Sequence, residues 1–135
     1  MASYLLKTEP TTYSWADLER EGRTRWDGIT NAAALIAIRQ MRPGDEALIY
    51  HSMSDKAIVG IARIVSEPYP DPVRKDEKFA VVDVEMVRRL KRPVTLAEIK
   101  AEPGLADFAL VYNSRLSTMP VSPGHRKLLR GLGVR

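Results

Sequence analysis

The stretch Phe79 to Leu90 does most to limit what this chain can become. It is rich in valine, and its residues alternate in kind. Ala80, Val82, Val84 and Met86 fall on one side, Asp83 and Glu85 on the other. That period of two predicts a long strand with one face in a core. The basic run Arg88-Arg89-Leu90-Lys91-Arg92 closes it, and Pro93 is expected to end the strand because proline has no N–H for the ladder.

The elements around this strand are shorter. Tyr4 to Lys7 reads as a first strand, and Glu46 to Tyr50 as a strand buried on both faces. Ala57 to Val65 is a third, with the small residues Gly60 and Ala62 on one face, either to fit a tight interior or to admit a ligand. Ser14-Trp15-Ala16-Asp17 has the spacing of a capping box, and Gly22 stops that short helix. Asn31 caps a second helix over Ala32 to Met41, apolar around most of its circumference at Leu35, Ile36 and Ile38. Residues 51–56 are a polar loop. Residues 67–72, with prolines in alternation, are expected to be irregular. Thr95 to Lys100 is a short capped helix, and Leu105 to Tyr112 fits a helical turn or a strand. Ser114 to Val121 alternates like a strand, and Ser122-Pro123 starts a last helix ending at Leu132. Uneven strands without regular βαβ alternation argue against a doubly wound sheet. The expected fold class is α+β, mainly β: a small, mostly antiparallel barrel decorated by short helices, in a single domain over residues 1–135.

Composition narrows the function. The chain has no cysteine and two histidines, which excludes disulfides and thiolate metal sites and leaves too little for a typical zinc site. No signal pattern or membrane-length apolar run is present, so a cytoplasmic, monomeric protein away from the membrane is expected. Net charge is +4, but residues 1–60 carry −1 and residues 61–135 carry +5. A basic half is the electrostatic footprint of a polyanion binder.

Trp26-Asp27-Gly28-Ile29-Thr30-Asn31 places a large flat ring, a turn and the donor-rich start of a helix within one short segment. That combination suits a planar, polar ligand.

Several motifs run in a fixed order: Leu6-Lys7-Thr8-Glu9-Pro10, Ser14-Trp15, Trp26-Asp27-Gly28 followed by Asn31, Pro43-Gly44-Asp45 and Tyr50-His51-Ser52. In the second half come Tyr69-Pro70-Asp71-Pro72, Val82-Asp83-Val84, Pro93-Val94-Thr95-Leu96 and Ser114-Arg115-Leu116-Ser117. Together, over nearly the whole chain, these resemble the EVE-domain family. The resemblance implies a PUA-like fold, a bent and mostly antiparallel β-barrel with flanking helices, related to the YTH domain. It also implies a nucleic-acid partner, DNA or RNA, carrying a modified base, notably modified cytosine in DNA. The chain departs from the family at Thr30, where Arg is common, and at Phe79, where Trp is usual.

A base reader needs flat surfaces and edge-reading hydrogen bonds, which recover the cost of unstacking. Trp15, Trp26, Tyr50 and Tyr69 are the candidate walls, with Tyr50 the one best suited to plain core. Lys7, Ser14, Asn31, His51, Ser52 and Ser117 are the candidate edge readers. Arg115, placed in a strand between serines, heads the phosphate contacts, with Arg88, Arg89, Lys91 and Arg92 behind it. No catalytic residue, metal or cofactor is expected. Alternative readings are a small metal-dependent nuclease or hydrolase using Lys7, Glu9 and His51, or a module binding a small ligand or partner protein.

Overall fold

The computed structural model describes residues 1–53 and 55–135; Ser54, inside the polar loop expected over 51–56, lies outside them. The order is β1 (Ser3–Thr8), α1 (Trp15–Glu21), β2 (Arg23–Trp26), α2 (Ala32–Gln40), β3 (Glu46–His51), β4 (Ala57–Ile64), β5 (Tyr69–Asp71) and β6 (Asp76–Thr95). Then follow α3 (Leu96–Lys100), a 3-10 turn (Pro103–Leu105), α4 (Ala109–Tyr112), β7 (Thr118–Val121) and α5 (Pro123–Leu132). Helix starts follow the expected local chemistry. Ser14 and Asp17 form a reciprocal capping box on α1, Thr95 and Glu98 another on α3, and Asn31 and Ser122 cap α2 and α5. The open choice over Leu105 to Tyr112 falls to helical structure.

The seven strands form one mixed sheet in the order β2-β6-β4-β3-β1-β7, with β5 pairing β6. Every ladder is antiparallel except β1 with β3. The mainly β, mostly antiparallel sheet with flanking helices is thus as expected, but it is not closed: no ladder joins β2 to β7 among the described residues. Helix α2 packs against both β6 and β7, which lie toward opposite ends of that order. A helix only about 10 Å across can touch both only if the sheet curls around it.

Both faces of the sheet are buried. Tyr4, Leu6, Ala47 and Ile49 point into one core with Trp15, Leu18, Leu35 and Ile38 of α1 and α2. Leu5, Leu48 and Tyr50 point into a second core with Ile99, Leu110 and Leu129 of α3, α4 and α5. Alternation along β1 and β3 therefore sorts successive side chains between two different interiors.

Several local expectations are corrected. The long strand runs twenty residues, through Pro93. The β4–β6 register shifts between Ile58 and Gly60, where Pro93 has no ladder partner, so the missing N–H breaks nothing. Tyr69–Asp71 is a short strand despite Pro70, tolerated on an outer strand that pairs with β6 alone. Arg23–Trp26 pairs with Val82–Glu85, so Trp26 ends an edge strand instead of sitting in a loop. Only Thr118–Val121 of the 114–121 segment is strand, which leaves Arg115 in a turn. Ile36 is 57% exposed, so α2 buries one face and not most of its circumference.

Candidate nucleic-acid interface

The parallel neighbours β1 and β3 finish side by side, Lys7 opposite Tyr50 and Thr8 opposite His51. Opposite residues share a face, so this end of the sheet presents two different sets of groups.

On the α1 side, His51 Nε2 accepts the Trp15 backbone N–H at 3.0 Å. The ring proton therefore stands on Nδ1, which meets the Asp55 carboxylate at 2.8 Å. His51 is buried and both its nitrogens are occupied. The Trp15 indole is 1% exposed and lies over Gly60, where an added Cβ would stand 2.5 Å from the ring. The small residue in β4 thus makes room for Trp15. The indole N–H has no partner within hydrogen-bond distance. Glu19 is held below the usual carboxylate range, first by its bond from Arg89. Ser14 Oγ caps α1, and a hollow of about 320 Å³ opens beside Ser14, Trp15, His51, Asp55 and Arg89.

Trp26 belongs to the same core and meets the Tyr13 ring edge-on, with centroids 6.1 Å apart. The Tyr13 backbone carbonyl accepts from Thr8 Oγ1 at 2.7 Å, tying this aromatic pair to the end of β1. Burial, and then the bond to Glu21, push the Tyr13 hydroxyl up to about 12. Gly28, with φ of +81°, adopts the left-handed backbone that glycine favours, within an irregular segment that lacks the regular turn expected after Trp26. Asn31 spends its side-chain oxygen on Ala34 N–H at 3.1 Å, which leaves its amide NH₂ exposed on the loop.

On the other face, Lys7 Nζ donates to the Ser114 carbonyl at 3.1 Å and stands 5.9 Å above the Tyr50 ring. Tyr50 is core, 3% exposed. Lys7 has no carboxylate partner among the described residues, Glu9 included, and burial lowers its pKa. The Lys7 backbone N–H donates to Ser117 O at 2.9 Å. Leu116, between Ser114 and Ser117, packs against both cores, so this turn lids the sheet end and links its two sides. Arg115 projects from the turn, exposed. Ser52 N–H binds Thr8 O at 2.9 Å, placing its hydroxyl at the same rim.

Two groups of candidates stand elsewhere. Tyr69 pairs with Val81 and Trp26 with Val82, so the two rings leave opposite faces of β6. Tyr69 instead bonds Asp83 at 2.6 Å; burial and that carboxylate push its hydroxyl up to about 12. In the basic run, Arg89 pairs with Glu19, Arg92 with Glu98 at 2.7 Å, and Arg88 with the Arg135 carbonyl at 2.9 Å. Lys91 is exposed. The grouping of Lys7, Glu9 and His51 is not assembled, because Lys7 and His51 leave opposite faces. Residue-by-residue reading missed Tyr13 and Thr8. Their signal is indirect: a tyrosine directly before a helix cap, and a threonine at the end of a buried strand.

A bent, mainly antiparallel sheet buried on both faces, with short capped helices and a polar, aromatic-backed strand end, defines a PUA-like domain. The model of the EVE domain family matches residues 2–132, and the chain belongs to that family. Human thymocyte nuclear protein 1 is 33% identical over 88% of this chain and 68% of its own length. The solution structure of a Rhodopseudomonas palustris protein superposes with a TM-score of 0.93 at 45% identity, over 98% of this chain and 93% of that one. Human THYN1, in a crystal structure with DNA containing 5-methylcytosine, has a TM-score of 0.89 at 30% identity, over 98% and 97% of the two chains. An ASCH protein of Zymomonas mobilis, 11% identical with a TM-score of 0.58, shares the fold alone.

Proposed function

We propose that this chain binds DNA and reads a modified cytosine at the end of the β1–β3 pair. The observation that carries this is likeness along nearly the full length to human THYN1, whose structure holds DNA containing 5-methylcytosine. Local chemistry supports the place. Lys7 keeps a half-buried ammonium with only a carbonyl acceptor and an aromatic ring for company. Three donors on one ammonium leave capacity for a base oxygen or ring nitrogen. Where the Leu116 turn joins the two faces, the partly exposed Tyr13, backed by the buried Trp26, supplies an apolar ring, Ser52 and the Asn31 amide the edge contacts, and Arg115 a cation for the backbone. His51, with both nitrogens engaged, holds α1 against β3 and positions the rim instead of touching the base.

The test is binding of short oligonucleotides carrying cytosine, 5-methylcytosine or 5-hydroxymethylcytosine, with Lys7→Met and Trp26→Ala as controls. Modified strands are expected to bind more tightly, and each substitution to cost roughly 1–3 kcal/mol of binding. Equal affinity for all three strands, unchanged in both variants, would remove the reading.

A further inference from the structure

A hollow of about 650 Å³ opens at the opposite end of the same strands. Ser3, in its lining, stands four positions before Lys7 on β1, roughly 13 Å along the strand. Ser3, Glu46, Pro123, Arg126, Lys127 and Arg130 line it. Its floor is a buried, bidentate ion pair: Arg126 Nε and Nη2 donate to the two Glu46 oxygens at 2.6 and 3.2 Å. Ser3 Oγ adds a bond to Glu46 at 2.8 Å, and Arg126 Nη1 binds the Val134 carbonyl at 2.8 Å. The floor is thus satisfied and rigid, and its one carboxylate is consumed. Asp45, the adjacent acid, accepts the backbone N–H groups of Ala2 and Arg42 instead.

The rim is different. Lys127 and Arg130 are exposed and have no carboxylate within ion-pair distance among the described residues. Arg130 stands near enough for its charge to act on Glu46. Pro123 brings the ten-residue α5 into the hollow by its first turn, the positive end of the helix dipole. Three cations against one neutralised carboxylate leave an unbalanced positive field over a concavity the size of a small-molecule site. Guanidinium and ammonium groups on the rim of a preformed cup match the oxygens of a phosphate group.

We propose that this hollow is a second, independent anion site that takes a phosphate group, either of a free sugar phosphate or of a nucleic-acid backbone. It does not rest on the base-reading site at the other end.

The experiment is an amide NMR titration of the full chain with ribose 5-phosphate, and separately with an unmodified DNA duplex. Wild type is compared with the double variant Lys127→Ala/Arg130→Ala. Neither probe offers a modified base. The amides of Ser3, Gly124 and Lys127 are expected to shift, with Lys7 and Ser52 unmoved, and the double variant to bind about tenfold more weakly. Shifts with the sugar phosphate assign a small-molecule site; shifts with the duplex alone assign a backbone contact. Both bear the site out. No shift with either probe in wild type, shifts at Lys7 and Ser52 only, or unchanged affinity in the double variant overturns it. The mapping on wild type stands by itself, and the variant's affinity counts once its amide spectrum shows the same fold.

Discussion

Two tryptophans share one core of this domain in different surroundings. Trp15 is sealed at 1% exposure between α1 and β4, its ring over Gly60 and its own backbone N–H tied to His51. Trp26 ends an edge strand at 6% exposure, lies edge-to-face with Tyr13, and is followed by Gly28 at positive φ. The first is surrounded by groups that cannot move without breaking the sheet. The second is backed by core on one side and bordered by a loop on the other. A ring's neighbours, more than its burial, separate a plug locked between helix and sheet from a ring at the margin of the core.

Substitutions can break that contrast. Trp15→Ala empties the space over Gly60 and is expected to cost about 3–5 kcal/mol of stability in urea unfolding. A loss under 1 kcal/mol would mean the indole is not the plug described. Gly60→Val drives a side chain into the indole from the opposite direction and should cost about 1–3 kcal/mol. Pairing it with Trp15→Phe should recover part of that loss, and strict additivity would show that the two positions do not touch. Ser14→Ala removes one half of the capping box on α1 and should lower stability by about 1 kcal/mol, leaving oligonucleotide affinity intact. Loss of affinity without loss of stability would move Ser14 into the site.

The smallest effect is a pH dependence remote from both rings. Burial alone would raise the pKa of Glu46, but Ser3 and the charges of Arg126 and Arg130 outweigh it and hold the carboxyl below the usual range. A carboxyl lowered in the folded state stabilises fully above its unfolded value, about 4.3, and that stabilisation is lost as pH falls through the folded value. The difference in melting temperature between wild type and Glu46→Gln should therefore be greatest near neutral pH and shrink below about pH 4. A constant difference down to pH 3 would detach Glu46 from the acid limb.

Signals carried by a few neighbouring residues were legible in the sequence. The caps at Ser14, Asn31, Thr95 and Ser122, the buried β3 and the mainly antiparallel character follow from contacts within a turn or from period-two alternation. What escaped depends on partners far along the chain. The charged stretch Arg23–Trp26 is a strand only because β6 offers it an edge. Pro93 is tolerated only because the ladder shifts where it falls. The opposite facing of Trp26 and Tyr69 is a matter of register between three strands, which no local pattern encodes. His51 reads as a free polar group until the Trp15 backbone, 36 residues away, is brought to its ring.

The pairing of β1 with β3 and β7 has a consequence for the order of assembly. Residues 3–8 leave the ribosome before the other elements of this domain, yet their antiparallel neighbour is Thr118–Val121, and the Lys7 ammonium finds its acceptor on Ser114. Contacts separated by 107 residues form late, after a costly loop closure. During synthesis the first strand waits with one edge unpaired, and the rim around Lys7 is completed by the turn that arrives more than a hundred residues later. A nascent chain lacking that turn carries most of the sheet without the finished rim, so closing the rim and completing the fold are the same late event.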